Sequence, residues 1–373
     1  MLGLPEVKGS SGSRSLSPFR LGRSRAQERI RIYIAALIIV ALWYTYFLRL
    51  RYMNELATIS QTESAEPCDF LPRDAAQNST LGFQKILALS KSPSWRSRGL
   101  IAAATLTGLD IEIPKQPFIT PELIEAFSKI GGPEVNGHPK TGSAHAWLAH
   151  LDLLRYGVSS NLDTFLIVED DVDWDINIKK TMALISDNVR KFRDVGGEDD
   201  SPYGRSWDLL WLGHCGEHTD KATPRQEFED PTVPTIDQYV GWSKKWLPSI
   251  SAGHRAIQKG VNPVCTFGYA VTAHGAQKIL DFAGKGGNEA FDIRLLDGCK
   301  NNHLNCLTVQ PEIMHHYEPP KDLGYTSLVK EEDGKGSSVD EEKFETVMGG
   351  TENIIDSARC MALFESSCMK QRR

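Results

Sequence analysis

The chain has 373 residues, of which 40% are hydrophobic and 24% are charged, and its formal net charge is −6. These values are ordinary for a globular protein, and the length allows one large domain or two smaller ones. The acidic balance gives no reason to expect nucleic acid as a partner.

The N-terminal part of the chain is first basic and then apolar. Residues 1–31 are rich in serine, arginine and glycine and are predicted to form a disordered cytoplasmic tail. Residues 32–48 form an apolar run of seventeen residues, which as a helix would rise about 25 Å and cross a thin bilayer. Positive charge before the run keeps that side cytoplasmic. We therefore expect a single-pass signal-anchor, with a cleaved signal peptide and a buried core helix as the alternatives.

All seven cysteines follow this run, which suits an oxidising compartment. Two close-spaced pairs are candidates for disulfides, Cys299 with Cys306 and Cys360 with Cys368. Sequence alone does not give the connectivity, and the odd count leaves at least one thiol free or intermolecular.

The elements that follow predict an α/β fold. Residues 49–82 are polar and suit a stem, and the globular part starts at Phe83. Residues 84–90 are predicted to be a strand, 94–107 a helix and 109–113 a second strand. This β-α-β order favours a parallel, Rossmann-like sheet with flanking helices.

The pattern farther along continues in the same way, with one irregular stretch. Helices are predicted at 143–156, 176–192 and 275–282, and strands at 207–213, 265–272 and 307–312. Residues 231–261 are aromatic and irregular, His315 and His316 follow the last strand, and 331–343 form a charged loop or tail.

An acidic cluster follows the apolar strand residues 165–168. It holds five carboxylates in seven positions: Glu169, Asp170, Asp171, Asp173 and Asp175. Crowded like charges are costly unless a cation neutralises them, and a hard divalent metal with oxygen ligands is the expected neutraliser. Alternation along an extended chain allows Asp171 to bind with Asp173, or Glu169 to bind with Asp171. Asp171 belongs to both sets. The alternative to a metal site is an acidic turn whose carboxylates are simply solvated.

These residues carry a family resemblance. It covers LIVEDDVDWD at 166–175, Gly142-x-x-x-Ala146-Trp147-x-x-His150, WDLLWLG at 207–213, FGYAVTAHGAQKIL at 267–280, Phe291-Asp292, and Thr351-Glu-Asn-Ile354 with Ser357 and Arg359. With these motifs the chain resembles glycosyltransferase family 25, in particular its fungal membrane-anchored members. The match spans about residues 83–362, which leaves 363–373 as a C-terminal tail.

The resemblance implies a GT-A fold, with a mixed, mostly parallel sheet behind the membrane helix. It also implies a type II membrane enzyme of the Golgi or ER with its catalytic domain in the lumen. Such an enzyme transfers a hexose from a nucleotide sugar, usually a UDP-sugar, to a glycan or glycoprotein acceptor with inversion. A catalytically inactive relative that acts as a lumenal binding or scaffold protein is the alternative. A different metal-dependent enzyme, such as a phosphodiesterase, would need a second metal site.

The resemblance also implies roles for individual residues. Glu169, Asp171 and Asp173 would hold Mn²⁺ or Mg²⁺ on the diphosphate, and His315 or His316 could add an imidazole ligand. Asp292 would be the general base on the acceptor hydroxyl, and a helix N-cap is its alternative role.

The donor contacts are where the chain departs from the family. The family's Arg-x-Asp-Arg-like run after the first strand is here Pro93-Ser94-Trp95-Arg96. Arg96, Arg98 and Asp170 are the residues expected to contact the donor. This departure motivates the inactive alternative.

Overall fold

The computed structural model describes residues 25–62, 71–130, 137–336, 338 and 341–370. The chain divides into two compact units, Met1–Asp69 and Phe70–Arg373. Three expectations lie partly or wholly outside the described residues: the tail at 1–24, the stem at 63–70 with Cys68, and the last residues, 371–373.

The described part of the first unit is one helix, α1 (Arg25–Thr62). The apolar run at 32–48 lies inside this helix. The large apolar side chains described from Tyr33 to Leu48 are all at least half exposed. Across the described residues, no helix combines the length and the apolar character needed to cross a membrane.

The second unit is an α/β domain. Its helices are α2 (Pro72–Ala75), α3 (Trp95–Thr107), α4 (Pro121–Ser128), α5 (Thr141–Ser159), α6 (Ile178–Phe192), α7 (Ala273–Ala283), α8 (Phe291–Lys300), α9 (Leu328–Glu332) and α10 (Ala358–Phe364). Its strands are β1 (Lys85–Leu89), β2 (Ile111–Glu112), β3 (Thr164–Glu169), β4 (Val172–Trp174), β5 (Leu209–Gly213), β6 (Arg225–Glu229), β7 (His254–Lys259), β8 (Gly268–Thr272), β9 (Cys306–Gln310), β10 (Met314–Glu318) and β11 (Gly350–Thr351). Short 3₁₀ helices lie at Trp242–Ser249, Lys321–Leu323 and Glu341–Glu345.

The eleven strands of the described residues form one mixed sheet. Eight of them lie in the order β2-β1-β3-β8-β5-β9-β7-β6. In this row β8 and β7 run opposite to the other six strands. Outside the row, β10 pairs with β4, β11 and β5. The predicted mixed, mostly parallel sheet with flanking helices is therefore confirmed.

The β-α-β start of the domain forms as its local signals predict. The hydroxyl of Ser94 accepts a hydrogen bond from the Arg96 N–H at 3.2 Å, which caps the first turn of α3. Gly108 ends the helix in the left-handed conformation, with φ of 63°, where a side chain would be strained. The chain then returns as β2, parallel to β1.

Apolar side chains cover both faces of the sheet, because alternate residues of a buried strand point to opposite sides. One face packs under α3 and α6 and includes Ile86, Ala88, Leu166 and Val168. The other face packs under α5, α7 and α8 and includes Leu87, Phe165 and Ile167. The apolar run of β3 is therefore fully buried, and its acidic continuation starts at the edge of the core.

The expectation of an irregular stretch at 231–261 is wrong in its last part. Residues His254–Lys259 form β7, which lies between β6 and β9 in the sheet. The strand was not predicted because it contains polar residues, which are usually exposed. Here these residues are buried and bind polar partners. Arg255 pairs with Asp230 at 2.5 Å, and Gln258 accepts a hydrogen bond from Thr219 at 2.8 Å.

Three disulfides join the described cysteines. Cys299–Cys306 and Cys360–Cys368 are both formed, which confirms the two close-spaced candidates. The third, Cys215–Cys265, spans 50 residues and was not predicted. It fixes the loop before β8 to the end of β5.

Candidate functional site

The acidic turn lies where two parallel strands end at the same edge of the sheet. β1 and β3 are in register, with Leu89 opposite Glu169. Ser90, the residue that follows β1, donates a hydrogen bond from its hydroxyl to Asp170 Oδ2 at 2.6 Å. The chain turns at Asp170 and Asp171 and returns as β4, which pairs with β10. Ligands of open α/β sheets bind at this edge, outside the carboxyl ends of the strands.

The carboxylate of Asp171 differs from the other carboxylates of the turn in its hydrogen bonding. Its Oδ1 atom is buried and has no hydrogen-bond partner in the part of the chain that the structure describes. Burial raises the pKa of Asp171, and the charge of Glu169 raises it further, whereas the charge of His316 lowers it. A buried acceptor without a partner costs about 1–3 kcal/mol. This oxygen is therefore available for a cation.

The rings of the two histidines of β10 stack on each other at 4.7 Å between centroids, and both pack on the Phe267 ring, at 4.9 Å for His315 and 4.8 Å for His316. His316 Nε2 lies 2.9 Å from Glu318 Oε1, and its buried Nδ1 finds no partner among the described residues. Burial lowers the pKa of His316, but the Glu318 hydrogen bond and the charge of Asp171 outweigh burial and leave it raised. His315 packs on Phe267, and burial holds its pKa well below the usual range. We expected both histidines to follow the last strand. They lie instead within β10, and the charge of Asp171 acts on His316.

Glu169 is held at the end of β3 by two polar side chains. The hydroxyl of Thr266 donates to its Oε1 at 2.9 Å, and His150 Nε2 lies 3.7 Å from the same oxygen. Burial raises the pKa of Glu169, but contacts with His150 and Thr266 outweigh it and leave the pKa lowered. Glu169 is thus an ionised carboxylate beside Asp171.

Asp173 is fully buried and its carboxylate is already engaged. Oδ1 accepts the N–H groups of Arg359 at 3.0 Å and of Trp174 at 2.8 Å, and Oδ2 accepts the hydroxyl of Ser357. These contacts tie β4 to α10. The geometry therefore favours the set of Glu169 and Asp171 over the set of Asp171 and Asp173.

Asp170 and Asp175 also make contacts within the fold. Burial, together with the charge of Asp171, raises the pKa of Asp170 to about 7. Its hydrogen bond to Ser90 joins the turn to β1. Asp175 accepts the backbone N–H groups of Asn177 at 2.9 Å and of Asp356 at 3.0 Å. Asp175 stabilises the chain after the turn.

The two predicted donor arginines differ in their surroundings. Arg96 is buried, and its positive charge lowers the pKa of both Asp170 and Asp171. Its Nη2 atom has no hydrogen-bond partner within the described ranges. Arg98 is 59% exposed and binds Glu345 through two hydrogen bonds, at 2.6 and 2.9 Å. The charge of Arg96 thus acts on the acidic turn, whereas Arg98 is paired with Glu345.

Arg359 is a second buried cation behind the turn. Its Nη2 donates to the backbone oxygens of Asp170 at 2.8 Å and of Arg96 at 3.0 Å. Gly99 in α3 leaves room for it, because a Cβ there would lie 2.4 Å from Arg359 Nη1. Arg359 was part of the C-terminal match, but no local pattern identified it as a site residue.

Asp292 lies in the first turn of α8. Its Oδ2 accepts the N–H of Cys265 at 2.8 Å, and its Oδ1 accepts the N–H of Ile293 at 2.9 Å. The N-cap residue of α8 is Ala290, so Asp292 is not the cap. The residue after Cys265 is Thr266, which binds Glu169. Asp292 and Glu169 therefore contact neighbouring residues of one loop, and the role of Asp292 as a base stays a prediction.

His150 is a further residue of this network, and sequence reasoning gave it no role beyond its place in the matched motif. Its Nδ1 lies 3.0 Å from the Tyr269 hydroxyl and its Nε2 lies 3.3 Å from the Thr266 hydroxyl. Its ring stacks on Phe291 at 4.8 Å between ring centroids. These contacts fix the imidazole beside Glu169.

The residues of the turn fit a divalent metal that takes few protein ligands. Among the side chains that the structure describes, no three from His, Cys, Asp and Glu gather as a metal-binding group. Asp171 and His316 nevertheless each present an unpartnered buried atom. Mg²⁺-like ions commonly take one or two carboxylates and complete their shell with water and substrate phosphates.

A groove of about 490 Å³ lies elsewhere on the domain, next to α2 and α6. Its lining includes Asp175, Lys180 and Asp230, but not Glu169 or Asp171. Asp230 is paired with a buried arginine, and Asp175 binds backbone N–H groups. The groove therefore lacks the unpartnered groups that distinguish the acidic turn.

Comparison with protein-family models gives no match for this chain. Comparison with curated proteins gives no match either. The resemblance to glycosyltransferase family 25 therefore stays a prediction that depends on the motifs themselves.

Proposed function

We propose that the chain is a metal-dependent glycosyltransferase. It would transfer a hexose from a nucleotide sugar, in the first place a UDP-sugar, to a hydroxyl of a glycan or glycoprotein with inversion. The observation that carries the proposal is the unpartnered Oδ1 of Asp171 at the strand edge, on which the charges of His316 and Arg96 act. A carboxylate, an imidazole and a guanidinium are the groups that a metal and a diphosphate require.

Each of these side chains has a role in binding. Asp171 and His316 would hold Mn²⁺ or Mg²⁺, with the charge of Glu169 close by. When bound, the metal would neutralise charge on the departing diphosphate. Arg96 would direct its unpartnered Nη2 to a phosphate oxygen, and Arg359 would hold the backbone of the turn behind it. Asp173 and His315 would support the fold.

The reaction itself is a single displacement. The acceptor oxygen attacks the anomeric carbon while the bond from that carbon to the diphosphate oxygen breaks, which inverts the configuration. The acceptor hydroxyl loses its proton to a general base, and Asp292 is the candidate. Glu169 is the second carboxylate that contacts this loop, through Thr266, so the base assignment requires the variants Asp292→Asn and Glu169→Gln to be compared.

Two features support the finer expectations about fold and location. A mixed sheet that ends in an acidic turn paired with a histidine-bearing strand is what a GT-A domain would need. The exposed apolar side chains from Tyr33 to Leu48 favour attachment to a Golgi or ER membrane through this segment. Extraction of cell membranes with alkaline carbonate tests the attachment, and release of the chain into the supernatant would contradict it.

A non-catalytic lumenal binding protein is the second candidate. The contact of Arg98 with Glu345 favours it, because a donor arginine that is already paired is less available to a substrate.

The deciding experiment measures turnover by the full-length chain in mild detergent. UDP-, GDP- and CMP-sugars are supplied with Mn²⁺, and donor hydrolysis and transfer are followed with and without a chelator. We expect activity that needs the metal, is lost in Asp171→Asn and persists in Asp200→Asn, whose side chain is 94% exposed. Metal-dependent nucleotide binding without any turnover would establish the binding protein instead. Absence of both would refute the proposed function.

A further inference from the structure

Both arginines predicted to contact the donor face carboxylates of one short segment. The 3₁₀ helix Glu341–Glu345 places Glu341 Oε1 4.0 Å from Arg96 Nη1. One turn later, Glu345 accepts two hydrogen bonds from Arg98, at 2.6 and 2.9 Å. Two carboxylates of one segment are thus matched to two guanidinium groups of α3.

The segment is anchored by an apolar side chain, not by its glutamates. Phe344 is only 1% exposed and meets the Trp95 ring edge-on at 5.5 Å between centroids. The side chains of Glu341 and Glu345 are 46% and 35% exposed. Either carboxylate could therefore turn towards water while Phe344 keeps the backbone in place.

Arg96 is the arginine that interacts with the acidic turn, and its contact with Glu341 is the weaker of the two. Its guanidinium packs 4.6 Å above the Trp95 ring and within 5.9 Å of the Tyr325 ring. One nitrogen, Nη2, has no hydrogen-bond partner in the described structure. The guanidinium is therefore fixed in direction but not fully satisfied, and Glu341 offers it only a distant carboxylate.

We propose that Glu341 and Glu345 compete internally with the diphosphate of the nucleotide for Arg96 and Arg98. This inference rests on the proposed function. A carboxylate and a phosphate oxygen bind a guanidinium in the same way, through charge-assisted hydrogen bonds. A nucleotide diphosphate that reaches these arginines must displace the glutamates, and rotation of the two side chains is enough. The segment thereby makes the affinity for the donor lower than it would be if Arg96 and Arg98 had no glutamate partners.

The test measures the Kd of UDP for the full-length chain in the presence of Mn²⁺ by titration calorimetry. The variants are Glu341→Gln, Glu345→Gln and the double variant. Glu342→Gln is the matched control, because it removes one charge from the same segment at an exposed residue that pairs with neither arginine. Thermal unfolding of each variant shows whether it is folded, and Glu341→Gln serves alone if the double variant is not.

We expect the double variant to bind UDP with a Kd about two- to tenfold lower than that of the wild type, since exposed ion pairs are individually weak. The Kd of Glu342→Gln should stay within about twofold of the wild type. Equal or weaker binding by the double variant, with the wild type binding normally, would overturn the inference and leave the proposed function intact. Absence of UDP binding in the wild type and all variants would refute the proposed function and this inference with it.

Discussion

Asp171 and Asp173 are two residues apart, yet the structure assigns their carboxylates opposite roles. Truncation by Asp173→Ala would leave the hydroxyl of Ser357 and the N–H of Arg359 without their acceptor in a fully buried position. It would also remove a counter-charge of a buried guanidinium. Such losses cost about 3–5 kcal/mol. Truncation by Asp171→Ala removes a carboxylate with an unpartnered oxygen, so the apoprotein should keep or gain stability.

Thermal unfolding of the full-length chain in a chelating buffer, followed by circular dichroism, separates these outcomes. For a domain of this size, 1 kcal/mol corresponds to roughly 2 °C in Tm, so Asp173→Ala should melt about 6–10 °C below the wild type. Asp171→Ala should melt at or above the wild-type temperature. A wild-type Tm for Asp173→Ala together with a large loss for Asp171→Ala would refute the reasoning and return Asp173 to the metal site.

Three further outcomes follow from other contacts. Gly99→Ala should destabilise the domain by about 1–3 kcal/mol, because the added Cβ would overlap Arg359. Gly196→Ala is the control, because no atom lies within 4 Å of its added Cβ, and it should be neutral within about 1 kcal/mol. Urea unfolding compares the free energies of the two variants. Burial raises the pKa of Glu217 from 4.5 to about 7 in the folded chain, so its contribution to stability is full below pH 4.5 and is lost as the pH rises through 7. Glu217→Gln should therefore lose less Tm than the wild type between pH 5 and pH 8, and an equal loss would contradict the assignment. Replacement of both cysteines of Cys215–Cys265, which spans 50 residues, should lower the free energy of unfolding by about 4 kcal/mol. The same replacement at Cys360–Cys368, which spans eight residues, should lower it by about 2.5 kcal/mol. A lower Tm for the Cys360–Cys368 variant than for the Cys215–Cys265 variant would contradict the loop-length argument.

Elements with local signals could be predicted from the sequence. Ser94 and Gly108 marked both ends of α3, and the apolar residues before Glu169 marked β3. In each of these the determining residues lie within one turn or one strand of the element. The same locality explains why the two close-spaced disulfides were predicted and the long one, Cys215–Cys265, was not.

The remaining features depend on partners that are distant in the sequence. β7 was missed because Arg255 and Gln258 look exposed until Asp230 and Thr219 are seen to pair with them. The choice between Glu169 and Asp173 as the partner of Asp171 could not be made, because Ser357 and Arg359, which bind Asp173, lie more than 180 residues away from it in the sequence. Alternation also failed to separate these carboxylates, since the chain turns at 170–171 and is not extended there.

The most direct measurement of the central claim is calorimetric titration of UDP into the full-length chain, with Mn²⁺ and with chelator. The unpartnered Oδ1 of Asp171 predicts binding that requires Mn²⁺ and disappears in Asp171→Asn, a variant that keeps the size of the side chain. Asp200→Asn should bind as the wild type does. UDP binding that is equally tight in chelator, or that is unchanged in Asp171→Asn, would contradict the assignment of the acidic turn as a metal and diphosphate site.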